Sequence, residues 1–120
     1  MGCPVVQFEI GCRDLKRTGA FYAGLFGWSV GEVHGTTAAV DTGNARGIPG
    51  ALTALGHEPH RYVHVYVEVD DVGATVERAA AGGGDVVVGP LDIPGDSPYG
   101  RFAWITDPDG NTVGLLEPRP

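Results

Sequence analysis

Apolar and polar side chains alternate without a break along residues 62–70. Val63, Val65, Val67 and Val69 fall on one side, and Tyr62, His64, Tyr66, Glu68 and Asp70 on the other. The segment from Val5 to Cys12 behaves alike, with Val6, Phe8, Ile10 and Cys12 opposing Val5, Gln7, Glu9 and Gly11. Period-two patterning with β-branched residues on one side predicts strands with one buried face, here the valine face. After each strand the spacing becomes helical: Leu15, Thr18, Phe21/Tyr22 and Leu25 in one case, Val72, Val76 and Ala79/Ala80 in the other. Asp14 and Asp71 stand where a carboxylate caps the first turn. Gly24/Gly27 and Gly82–Gly84 stand where a left-handed cap ends a helix.

The two patterns are copies of one another. Gln7 to Leu15 aligns with His64 to Val72 at an offset of 57 residues, and the register continues through Thr18/Thr75, Ala23/Ala80, Gly27/Gly84 and Val30/Val87. Three short strands are predicted after each helix, at about 28–33, 37–41 and 48–54, then 85–88, 102–106 and 112–116. Asp107-Pro108-Asp109-Gly110 supplies a tight turn before the last. The chain therefore reads as α+β, with two tandem βαβββ modules over about 1–57 and 58–120 of a single domain. With each helix on the valine face, the polar faces of two cupped mixed sheets are left to line a cavity about a pseudo-two-fold axis. Gly50-Ala51-Leu52 pairs with Gly114-Leu115-Leu116 at an offset of 64, which puts seven extra residues into the second copy. These fall in the Pro/Gly-rich stretch from Asp92 to Arg101, expected to fold over the cavity.

Composition narrows the partners. The 120 residues are 42% hydrophobic and 19% charged, as a folded domain requires, and 20 Gly with 9 Pro suit many turns. Eight Lys and Arg against 15 Asp and Glu give a net charge of −7, which argues against nucleic acid and anionic membrane surfaces. Cys3 and Cys12 have neither zinc nor redox spacing, and no stretch reaches membrane-spanning length, so a cytoplasmic location is expected. No phosphate-cradling glycine loop or nucleophile motif is present, and no cofactor is predicted from motifs.

Three stretches carry a family resemblance. They are Gln7-Phe8-Glu9-Ile10 leading into Ala20-Phe21-Tyr22 and Leu25-Phe26-Gly27-Trp28; Tyr66-Val67-Glu68-Val69-Asp70-Asp71-Val72; and Gly100-Arg101-Phe102-Ala103 followed by Asp107-Pro108-Asp109-Gly110-Asn111. Together they resemble the vicinal oxygen chelate superfamily, which includes glyoxalase I, extradiol dioxygenases, methylmalonyl-CoA epimerase and the bleomycin and fosfomycin resistance proteins. The resemblance implies four metal-ligand positions, two on opening strands and two on closing strands. Gln7 and His64 hold the first two, while Gly50 and Gly114 stand at the others and offer no donor. Gln7, His64 and Glu9 remain as an unorthodox divalent-metal set. Glu117 lies three residues past Gly114 and so belongs to the opposite face of a regular strand. His57 and His60 read as solvated linker residues.

Without metal, the expected ligand contacts are Gln7, Glu9, His64, Tyr66, Gly50 and Gly114, with Glu68 on the same concave surface. The two glycines would enlarge the hollow for a bulky organic ligand. Glu9 and His64 are the catalytic candidates, since a carboxyl and an imidazole in a partly dry site can act as acid and base. The chain thus reads as a small-molecule-binding protein. The alternative is a lyase, isomerase, epimerase or dioxygenase using Glu9/His64 or a divalent metal. The resemblance further implies a homodimer, with Trp28 and Trp104 as interface or core aromatics.

Overall fold

The computed structural model describes residues 2–55 and 61–120; His57 and His60 lie outside them. Ten elements follow in order: β1 (Val5–Gly11), α1 (Leu15–Phe26), β2 (Ser29–His34), β3 (Thr37–Asp41), β4 (Gly50–Thr53), β5 (Val63–Glu68), α2 (Val72–Ala81), β6 (Asp85–Asp92), β7 (Tyr99–Thr106) and β8 (Thr112–Pro118). The succession is βαβββ twice, an α+β fold. The chain forms two compact units, Val6–His64 and Val65–Pro120, the latter with the N-terminal segment ending at Val5. No helix among the described residues is long and apolar enough to cross a membrane.

In the first unit β1 pairs in parallel with β4, β4 antiparallel with β3, and β3 antiparallel with β2. Asp14 caps α1, its carboxylate accepting from the Arg17 N–H at 3.0 Å, and Gly27 closes the helix in the left-handed region at φ 72°. The helix covers Ile10, Cys12, Val40 and Leu52, with Phe8, Leu15, Tyr22, Trp28, Val30 and Ala54 around them. Gly19 permits this close packing, because a Cβ there would stand 3.2 Å from Val30 Cγ1. Trp28 lies in an aromatic cluster, stacked on Tyr22 at 5.3 Å and tilted against Phe8 at 5.4 Å.

The second unit repeats the plan. β5 pairs in parallel with β8, β8 antiparallel with β7, and β7 antiparallel with β6. Asp71 caps α2 by accepting from the Ala74 N–H at 3.0 Å. The core is Val69, Val72, Ala103 and Leu115, with Val67, Val76 and Ile105 packed against it.

The structure corrects three expectations. The valine face of β5 is not uniformly buried: Val63 is 73% exposed and Val65 36%, while Val69 is buried. Helix α2 starts only at Val72 and its core reaches back to Val67 and Val69, leaving the start of the strand uncovered. The loop expected over Asp92–Arg101 is also shorter, since β6 runs to Asp92 and β7 begins at Tyr99, leaving 93–98 between them. The bend between them is held by Arg119, whose guanidinium donates to the carbonyls of Ser97 at 2.7 Å, Ile93 at 2.5 Å and Gly95 at 3.1 Å.

The third correction concerns Gly50 and Gly114. Gly50 pairs with Phe8 and lies two residues before Leu52, which packs against α1; Gly50 is therefore on the helix-facing side. Gly114 pairs with Tyr66, opposite the side carrying Leu115 and Val67. Alternation makes Ala51, the partner of Glu9, the counterpart of Gly114, an offset of 63 residues. Neither glycine opens space. A Cβ at Gly50 would fall within the Phe8 ring, and one at Gly114 within the Tyr66 ring.

Candidate functional site

Strand alternation sends Phe8 and Ile10 toward α1 and leaves Gln7, Glu9 and Gly11 on the other side of β1. Glu9 is 7% exposed, a costly position for a carboxyl group unless polar partners replace water. Tyr62 is one such partner, donating its hydroxyl to Glu9 Oε2 at 2.6 Å. Gly11 makes this possible: its N–H donates to the Tyr62 carbonyl at 2.8 Å, and a Cβ on it would occupy the Tyr62 ring. A glycine within a strand often marks such a close approach.

His64 completes a triangle. Its ring stacks on Tyr62 at 5.2 Å with a 28° interplanar angle, and its Nε2 lies 3.8 Å from the same Glu9 oxygen. His64 is 5% exposed, and burial pushes its pKa down to about 4, so the imidazole is neutral at pH 7. Burial also raises the Tyr62 phenol well above its ordinary value, reinforced by its hydrogen bond to Glu9 and that carboxylate's charge. Tyr62 therefore stays a hydrogen-bond donor. Thr53, buried on β4 opposite Gly11, extends the polar cluster, its Oγ1 lying 3.4 Å from Thr37 Oγ1.

The structure thus brings Glu9 and His64 together, with Gln7 half-buried on the Glu9 face, about 7 Å away by strand rise. Tyr62 is an addition to the expected set, as are Thr53 and Thr37. Alternation placed the tyrosine on the face of His64, and Gly11 leaves room for its ring; the threonines carried no signal. Tyr66 and Gly114 belong to another cluster, in the second unit, where Tyr66 is buried and accepts from Trp104 Nε1 at 2.9 Å. Glu68 accepts from the Tyr99 hydroxyl at 3.0 Å. Glu117 accepts from the Val72 N–H at 2.8 Å and so serves the start of α2.

A divalent ion is common in the family, and Gln7, Glu9 and His64 are the side chains on this face that could ligate one. Zinc sites use three or more protein ligands and hard cations several oxygens. Glu9 and His64 supply two donors, one Glu9 oxygen being engaged by Tyr62, and the Gln7 amide would have to be the third. Gly114 and its counterpart Ala51 add none. Among the described residues, no three His, Cys, Asp or Glu side chains gather to hold a metal.

Residues 5–115 match the family described as the Glyoxalase/Bleomycin resistance protein/Dioxygenase superfamily, and the chain belongs to it. One relative is CFP32 of Mycobacterium tuberculosis (strain CDC 1551 / Oshkosh), provisionally named a glyoxylase. It is 49% identical over 57 residues, covering 48% of this chain and 21% of that protein. The anthracycline biosynthesis protein DauV of Streptomyces sp. (strain C5) is 30% identical over 120 residues, covering 86% of this chain and 42% of that one. This chain accordingly spans less than half the length of these curated relatives. Among solved structures, methylmalonyl-CoA epimerase from Mycobacterium tuberculosis gives a TM-score of 0.63 at 17% identity, over 97% of this chain and 88% of that one. At that identity the likeness concerns the fold alone.

Proposed function

We propose that this protein binds a small organic molecule, with Glu9, His64 and Tyr62 as the polar contacts and no conventional divalent-metal centre. The observation that carries the reading is the convergence of Tyr62 and His64 on one oxygen of a buried carboxyl group, on the strand face turned away from α1. Apolar residues would pack there at lower cost, and perturbed titratable groups tend to cluster at functional sites. The name of one relative supports the ligand class, since anthracyclines are small organic molecules. Gln7 is a further proposed contact, and a cytoplasmic homodimer is the proposed form, checked by light scattering at micromolar concentration.

One observation favours a second reading, proton-transfer catalysis. A neutral imidazole beside a carboxyl group can accept a proton, and the carboxylate stabilises the imidazolium that forms. Epimerisation, isomerisation and dehydration all use such a step.

The test is a thermal-shift screen with CoA thioesters and polycyclic aromatic compounds on wild type, Glu9→Gln and His64→Ala. Binding reads out as a rise in Tm that grows with ligand concentration. A ligand that stabilises wild type and loses its effect on both variants supports the site. One that stabilises all three equally places binding elsewhere. Turnover of that ligand, lost in His64→Ala, selects the catalytic reading.

A further inference from the structure

A cleft of about 500 Å³ opens at the C-terminal end of β1, bounded by Gly11, Cys12, Arg13, Thr18, Tyr22 and Arg61. Its charge is unusual for this chain. Against 15 acidic residues there are only 8 Lys and Arg, and two of them line this one cleft. Two more, Lys16 and Arg17, occupy the first turn of α1, which holds no acidic residue. Cations at a helix N-terminus oppose the helix dipole. Asp14 offsets part of this, but its carboxylate is used as the N-cap.

The two guanidiniums are also uncommitted. Among the described residues, the ion pairs join His64 to Glu9 and Arg101 to Asp92, so neither Arg13 nor Arg61 is spent on a carboxylate. Thr18 and Tyr22 line the wall, the Thr18 hydroxyl bonding the Cys12 side chain. The Cys12 thiol is raised in pKa by burial and brings no negative charge.

From these residues we infer that the cleft is an oxyanion site, which takes a small ligand through a phosphoryl or carboxylate group held between Arg13 and Arg61. Guanidinium forks match both groups in bidentate geometry. The inference rests on these residues alone and stands whether or not Glu9 and His64 contact a ligand.

The experiment is an amide NMR titration at low ionic strength with inorganic phosphate in one arm and malonate in the other. Saturable shifts of Gly11, Cys12, Arg13 and Thr18 are expected for at least one anion. The arm that saturates at lower concentration assigns the group. In Arg13→Ala/Arg61→Ala the apparent affinity should fall by roughly tenfold or more, as loss of two charge-assisted contacts requires. Arg61→Glu, a single change at an exposed position, should abolish the shifts while leaving the dispersed spectrum of a folded chain. Shifts in neither arm, or an unchanged affinity in both variants, would overturn the assignment.

Discussion

The hydroxyl of Tyr62 lies 2.6 Å from Glu9 Oε2, a hydrogen bond that joins two residues 53 positions apart. It is donated to a buried carboxyl group and is therefore expensive to lose. Removing one partner of a buried bond to a charged group costs about 1.5–3 kcal/mol. Tyr62→Phe keeps the ring over Gly11 and its stack on His64 but deletes the donor. Urea unfolding should show a lower midpoint at unchanged slope; a midpoint equal to wild type would mean that water or another group replaces the hydroxyl without loss.

His64 makes stability depend on pH in a defined window. Its pKa is about 4 when folded, against 6.5 when exposed. Between those values the unfolded chain takes up a proton that the folded chain refuses. The contribution of His64 is thus fully present above about pH 6.5, declines as pH falls toward about 4, and is lost below it. The full difference amounts to about 3 kcal/mol at most. Comparing wild type with His64→Gln at about pH 7 and about pH 4.5 isolates this term, because the other carboxyl and imidazole groups are common to both. Equal pH dependence in the two proteins would contradict a buried, neutral imidazole.

Gly50 lies under the Phe8 ring, which has to shift to admit a side chain. Gly50→Ala should cost about 1–3 kcal/mol by overpacking. Pairing it with Phe8→Leu should recover part of that loss, giving a coupling energy in a double-mutant cycle. Additive effects of the two changes in thermal melts would show that the ring moves aside freely. Gly114→Ala with Tyr66→Leu offers the same comparison in the second unit.

Arg119 holds the bend between β6 and β7 through three carbonyls. Arg119→Ala should leave both cores intact and raise amide exchange at residues 93–98 above that of β7. Selective cleavage in this bend by a dilute protease is the second readout, since poorly tied segments open at low free-energy cost. Exchange rates matching wild type would assign the order of the bend to other contacts.

The repeat, the element order and both aspartate caps could be read from the sequence because each is a local pattern: Asp14 and Asp71 precede helical spacing, and β1 alternates cleanly. Glu9 and His64 were foreseeable partners for the same reason, each lying on the polar side of its own alternation. Parity across strands was not legible. Gly50-Ala51-Leu52 and Gly114-Leu115-Leu116 agree at two of three positions, yet pairing with β1 and β5 turns the two glycines to opposite faces. Nor did alternation tell how far α2 reaches, which is why Val63 lies open while Val69 is buried. Alternation put Tyr62 on the face of His64, but its fit over Gly11, from just outside β5, was not legible.

Glu117 sits near the end of the last strand, yet its carboxylate holds the opening N–H of α2 at Val72, 45 positions earlier. The rim of β8 and the first turn of that helix are thereby fastened to each other. Fraying at one is transmitted to the other, and a chain shortened before Glu117 would loosen a helix it never formed part of.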